Sequence, residues 1–124
     1  MRLLLDSHTI LWWRADDERL SERARLAIED QDALPYFSSA SIWELAIKQA
    51  KGKLKIPADL PEALLGEGFI EITMSSSHAF QAARLPPHHD DHFDRMLVAQ
   101  ARSERLTVVT RDACIAVYGV PVLW

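Results

Sequence analysis

Hydrophobic residues fall along this chain in two rhythms: short unbroken runs, and longer stretches in which they recur every three or four positions. Leu3-Leu4-Leu5 is the first run. Leu34-Pro35-Tyr36-Phe37-Ser38, Phe69-Ile70-Glu71-Ile72, Leu106-Thr107-Val108-Val109 and Val120 to Trp124 follow it. A run without polar alternation belongs to a strand covered on both faces, as in a parallel sheet with helices on each side. The helical rhythm fills the intervals: Ser7 to Trp13, Ser21 to Ile28, Ile42 to Ala50, Leu60 to Leu65, Ser77 to Ala83, Phe93 to Ser103 and Arg111 to Tyr118.

Punctuation agrees with this division. Ser21 stands where a helix cap belongs, Pro61 lies in a first turn, Gly52 and Gly119 follow helices, and Pro86-Pro87 stops one. Ile42 to Ala50 is apolar around most of its circumference, which predicts a largely buried helix. Trp12, Trp13 and Trp43 are expected in the core, with the lining of a groove for a partner as the alternative. The pattern predicts an α/β fold: a single domain over residues 1–124, its mostly parallel central sheet of about five short strands flanked by helices.

Composition narrows the setting. With 48% hydrophobic and 26% charged residues in 124, the chain has the balance of an ordinary globular protein with a real core. Cys114 is the only cysteine, so no internal disulfide forms, which suits the cytoplasm. Three leucines before Asp6 are too few for a signal-peptide core, and no later run approaches a membrane span. The net charge of −4 argues against a polyanion binder driven by overall charge. Were four of the 18 acids withdrawn onto a metal, the remaining 14 would equal the 14 bases, leaving room for local basic patches.

Four acids stand out, each with a bland reading beside the functional one. Asp6 ends the first strand, where open α/β sheets place their ligands; it also suits the cap of the next helix. Asp94 shares a helix face with Leu97, Val98 and Ala101, and a carboxylate heading an apolar stripe is costly to bury without purpose. Against that, Asp91 and Asp94 have the spacing of a capping box. Glu44 lies one turn into its helix among Trp43, Leu45 and Ile47, with Lys48 available as an i,i+4 partner. Asp112 follows the fourth strand and also suits a helix cap. Four carboxylates in one pocket stay ionised only if cations neutralise them, and hard oxygen donors suit Mg²⁺ or Mn²⁺. Such a site activates water for attack on a phosphodiester.

Three stretches carry a family resemblance: Leu4-Leu5-Asp6-Ser7-His8; Ser41-Ile42-Trp43-Glu44-Leu45-Ala46-Ile47-Lys48 with Gly52-Lys53-Leu54; and Phe93-Asp94-Arg95-Met96-Leu97-Val98-Ala99-Gln100-Ala101. Together they resemble a PIN domain, in particular the VapC toxins of bacterial type II toxin–antitoxin pairs. The resemblance implies a divalent-metal-dependent endoribonuclease that leaves 5′-phosphate ends, is held inactive by a cognate antitoxin, and forms a homodimer. It implies Asp6, Glu44 and Asp94 as core catalytic and metal-binding acids, with Asp112 as the more variable fourth. His92 departs from the pattern, standing where similar chains often carry proline.

Other features complete the expectations. Lys48, Lys51 and Lys53, with Arg95, are candidates for contact with an RNA backbone; a solvated helix end and an acid pairing are the bland alternatives. Ser7 and Thr110 are candidates to orient water or phosphate. His88, His89 and His92 lack zinc-site spacing and read as a polar loop. Cys114 reads as a small buried hydrophobe. Two other functions compete with the nuclease. A phosphatase asks for a second acid two residues after Asp6, where His8 stands, and a receiver asks for a strand-end aspartate near Asp59, which no strand precedes. The remaining rival is the same fold as a non-catalytic binding module whose acids serve only as caps.

Overall fold

The computed structural model describes residues 1–124. Five strands, β1 (Arg2–Leu5), β2 (Leu34–Ser38), β3 (Ile70–Ile72), β4 (Thr107–Val109) and β5 (Val122–Leu123), form one sheet in the order β3-β2-β1-β4-β5. Every pairing is parallel, and β1 is the central strand. Seven helices connect them: α1 (Ser7–Arg14), α2 (Glu22–Glu29), α3 (Ser39–Ala50), α4 (Leu60–Gly66), α5 (Ser76–Ala83), α6 (His92–Glu104) and α7 (Ala113–Ala116). None is long and apolar enough to cross a membrane.

The unbroken leucine run has a direct explanation in the two layers. Leu3 and Leu5 face one core with Phe37, Leu45, Leu64 and Val109, while Leu4 faces the other with Leu97, Val98, Leu106 and Val108. Successive side chains of a strand point to opposite faces, and here both faces are covered, so no position is left for a polar residue. All three leucines are fully buried.

Side-chain caps set where the helices begin. Asp6, Ser21, Ser38, Ser75, Asp91 and Asp112 each accept from a backbone amide in the first turn of the helix that follows. Such a cap satisfies an amide that has no partner within the helix. Gly52 and Gly119 have φ of 72° and 79°, left-handed values that a side chain resists.

Three expectations change. Helix α3 buries only Ala40, Ser41, Glu44 and Leu45, because it packs along one side against α6 and α1. Trp43 therefore stands 57% exposed, outside the core, and meets Phe93 edge-on with ring centroids 5.3 Å apart. Trp12 is buried as expected and Trp13 is partly buried against Phe69. Cys114 is exposed, since α7 is a single turn that turns only Ile115 inward.

One arginine ties the loop before α6 to its surroundings. The Arg95 guanidinium donates to the carbonyls of Ala82, Leu85, Pro86 and His89 and to the Tyr118 hydroxyl, at 3.0 to 3.3 Å. These contacts join the end of α5, the polar loop and the segment after α7 to the first turn of α6. Arg95→Ala is expected to lower unfolding free energy by about 2 kcal/mol or more, through unpaired acceptors as well as lost bonds. Urea denaturation followed by circular dichroism measures this; an unchanged midpoint would show that water replaces the guanidinium without cost.

Candidate active site

The strand order reverses direction between β1 and β4, since the chain builds outward from β1 to β3 and then returns to the other side. In an open parallel sheet, the carboxyl ends of the strands flanking such a reversal leave a crevice for ligands. The residues following β1 and β4 are Asp6 and Thr110, both buried.

These two residues bond across the crevice. The Thr110 hydroxyl donates to Asp6 Oδ2 at 2.5 Å, while Asp6 Oδ1 accepts from the Thr9 amide at 2.8 Å. The cap role and the site position of Asp6 thus coexist, one oxygen serving each. Thr110 Oγ1 also accepts from the Asp112 amide at 3.0 Å, placing Asp112 on the same rim. Asp112 in turn caps α7 through the Cys114 amide at 2.8 Å.

Glu44 joins from the other side. It is only 8% exposed, and its Oε1 accepts from the Ser7 hydroxyl at 2.7 Å. Its Oε2 pairs with Lys48 Nζ at 3.0 Å, so the i,i+4 partner is also real. Lys51 and Lys53 lie exposed at the far end of α3, apart from these hydrogen bonds.

Asp94, in the first turn of α6, completes the group. Its side chain keeps 21% of its exposure, and its Oδ2 lies 3.3 Å from His89 Nε2. His89 Nδ1 is 2.7 Å from the Tyr118 hydroxyl, which accepts from Arg95. A proton on Nε2 lets His89 accept from Tyr118 and donate to Asp94, so the ring orients the carboxylate. His89 was legible only as part of a polar loop, and its sequence carries no signal of this contact.

The charges on this rim act on one another. Asp94 is raised from its usual 3.8 to about 6, first by burial, then by the negative charge of Asp91, against the opposing His89 bond, with Asp112 and Glu44 adding to the rise. The Cys114 thiol is also pushed up, chiefly by Asp112. A raised thiol pKa leaves little thiolate, and Cys114 is a poor nucleophile.

The donor chemistry fits a divalent cation: Asp6, Glu44, Asp94 and Asp112 offer hard carboxylate oxygens, and Asp91, Asp112 and Glu44 add to the burial that raises Asp94. No three His, Cys, Asp or Glu side chains stand close enough, as placed, to hold one together. Ligand convergence upon binding is the change such a site requires.

The crevice opens beside Asp6 and Asp112 into a cavity of about 510 Å³, also walled by His8, Trp12, Arg19 and Arg111. The two arginines come from loops whose sequence gave no reason to single them out. Arg95, expected near substrate, spends its donors on the protein's own carbonyls.

The Asp94 shift has a stability consequence. Its folded-state pKa lies above the ordinary value, so the folded protein binds a proton between about 3.8 and 6 that the unfolded chain lacks. The stability linked to this proton is fully present below the lower value and lost as pH rises through the upper one. In chelator-treated protein, Asp94→Asn is expected to raise the melting temperature by a few degrees at pH 8 and scarcely at pH 4. An equal effect at both pH values would show that Asp94 titrates as an ordinary surface carboxylate.

Comparison with known proteins agrees with this fold. Residues 3–120 match the family model described as PIN domain. Over 113 residues the chain is 35% identical to Ribonuclease VapC22 of Mycobacterium tuberculosis, covering 89% of this chain and 86% of that one. Among solved structures, VapBC2 from Rickettsia felis bound to a DNA fragment from its promoter superposes with a TM-score of 0.70 at 15% identity, over 100% of this chain and 98% of that one. A toxin–antitoxin complex from Klebsiella pneumoniae gives 0.67 at 20% identity, over 98% and 96%. At those identities the structures speak for the fold, while the family match and the VapC22 identity fix the kinship. This chain belongs to the PIN-domain family.

Proposed function

We propose that this protein is a divalent-metal-dependent endoribonuclease, the toxin of a toxin–antitoxin pair, restrained by a cognate antitoxin. The carrying observation is the gathering of carboxylates at the β1/β4 crevice, where Asp94 is pushed up to about 6 by burial and its acidic neighbours. A purely structural set of caps has no reason to place those charges against one another. Kinship with Ribonuclease VapC22 supports RNA as the substrate, and the likeness to VapBC and other toxin–antitoxin complexes supports an antitoxin partner. The same reading includes a homodimer acting in the cytoplasm.

Asp6, Glu44, Asp94 and Asp112 would hold Mg²⁺ or Mn²⁺. When bound, the ion supplies Lewis-acid stabilisation of charge on the phosphate and lowers the pKa of an attacking water. The chain's own residues do the positioning. Thr110 and the Thr9 amide fix both oxygens of Asp6, Ser7 fixes one oxygen of Glu44, and His89 fixes one of Asp94. These bonds set the starting orientation of each carboxylate, from which the four would converge when the ion binds. Water attacks phosphorus, the bond to the 3′-oxygen breaks, and the leaving oxygen takes a proton, giving 3′-hydroxyl and 5′-phosphate ends. Lys51 and Lys53 are exposed and suited to the RNA backbone farther from the reacting bond.

The decisive experiment incubates a mixed RNA pool with purified protein and Mg²⁺ or Mn²⁺, with a chelator arm and an Asp94→Ala arm. Cleavage is expected only with metal, to fall by at least about 100-fold in the variant, and to stop on adding antitoxin. Folded protein that neither cleaves RNA nor binds a divalent ion would leave the fold as a non-catalytic module.

A further inference from the structure

The cavity beside Asp6 and Asp112 has features that the hydrolytic chemistry does not use. Its floor is Trp12, only 9% exposed, with Trp124 edge-on behind it at 5.8 Å. The His8 ring lies nearly parallel to Trp12, at 5.7 Å and 21°, as expected for i,i+4 neighbours on α1. Arg111 and Arg19 both stand over the indole, at 4.5 and 5.1 Å from its centroid.

The two arginines differ in what remains available. Arg19 is clamped by both oxygens of Asp17, at 2.8 and 3.0 Å, and its charge is spent. Arg111 makes no hydrogen bond or ion pair with the protein; the indole face alone steadies it. It is an exposed guanidinium on the wall of a cavity shared with two of the candidate catalytic acids. An unpaired guanidinium is a phosphate ligand in waiting, with its fork of donors matched to two phosphate oxygens. At about 510 Å³ the cavity has the size of a small-ligand site.

We infer that this cavity is the subsite for the nucleotide next to the scissile bond, with Arg111 on its phosphate and the outer face of His8 under its base. The inference rests on the ribonuclease reading and deepens it. A single-stranded RNA placing one phosphate at the acids carries the next a few ångströms along, and the cavity is the adjoining space. Stacking on an exposed aromatic ring tolerates any base, while a guanidinium contact to phosphate positions the strand without reading sequence. This also eases the charge difficulty: in a chain of net charge −4, an unmatched cation stands on the cavity wall beside the acids, where a phosphate would lie.

The test measures binding of a fluorescein-labelled single-stranded RNA to Asp94→Asn protein in Mg²⁺, across a salt series. Arg111→Gln is expected to weaken binding about tenfold and to flatten the plot of log K against log salt by about 0.7, the value of one phosphate contact on a single strand. Arg111→Lys should keep the slope. His8→Ala should lose affinity with the slope intact, because stacking releases no counterion. A folded Arg111→Gln protein that matches its parent in affinity and slope overturns the subsite while leaving the nuclease standing. If the parent binds no RNA and the wild type cuts none, both fall. If Arg111→Gln spares RNA but weakens antitoxin, the cavity takes a partner's carboxylate and the inference fails.

Discussion

The hydrogen bond from Thr110 to Asp6 is the constraint on which the site depends, and it is set by strand register. Leu5 pairs with Val109 in the parallel ladder, so the next residue of each strand arrives in the same crevice. The Val109 carbonyl then accepts from both the Asp6 amide and the Thr9 hydroxyl, closing the junction between the two strands. A one-residue slip would send Leu3, Leu4 and Leu5 to the wrong cores and carry Asp6 out of reach of Thr110. The hydrophobic run therefore does more than stabilise the sheet. It fixes the position of the first acid, and through Ser7 and Thr110 the positions of Glu44 and Asp112.

Capping and chemistry prove to be the same arrangement. Asp6 and Asp112 hold the first turns of α1 and α7, and Asp91 caps the helix that carries Asp94. A backbone amide at the end of a strand or the start of a helix is a rigid anchor, and an acid bound to one has few rotamers left. The cost is electrostatic. Asp94 is raised first by its burial and then by the charges of Asp91, Asp112 and Glu44 held near it. Sites of this kind trade stability for function, because the arrangement that relieves the charge is the one with a cation bound.

Much of this was legible in the sequence, for reasons that particular residues make clear. The five strands and seven helices follow from runs, periodicity and caps, all local signals. Asp94 stood out because the apolar residues on its helix face made an acid there anomalous. The misjudged residues depend on which neighbour arrives from elsewhere. Trp43 was assigned to the core because its helix looked apolar all round, yet only one side of α3 is covered. Cys114 looked buried in an apolar stretch that forms just one turn. Arg95 reads from sequence as a substrate contact or the partner of an acid, but the carbonyls that occupy it belong to the end of α5 and the following loop. The cavity of His8, Trp12, Arg19 and Arg111 brings together residues from opposite ends of the chain, and no spacing rule links them.

A count of unmatched charges gives the crevice its chemical direction. Most of the ions around it are already answered: Lys48 by Glu44, Arg19 by Asp17, and Arg95 by carbonyl oxygens. What is left over is positive at Arg111 and negative around Asp94 and Asp112. These groups have not collapsed onto each other, because Trp12 supports the guanidinium while Cys114 and His89 bind the carboxylates. A neutral ligand would leave both excesses standing. A cation alone would answer only the acids, and an anion alone only Arg111. A phosphodiester strand arriving with a divalent cation answers both at once, placing positive charge among the carboxylates and a phosphate against the arginine. The charge pattern thus favours a metal–phosphate ligand over either component alone, on grounds independent of sequence kinship.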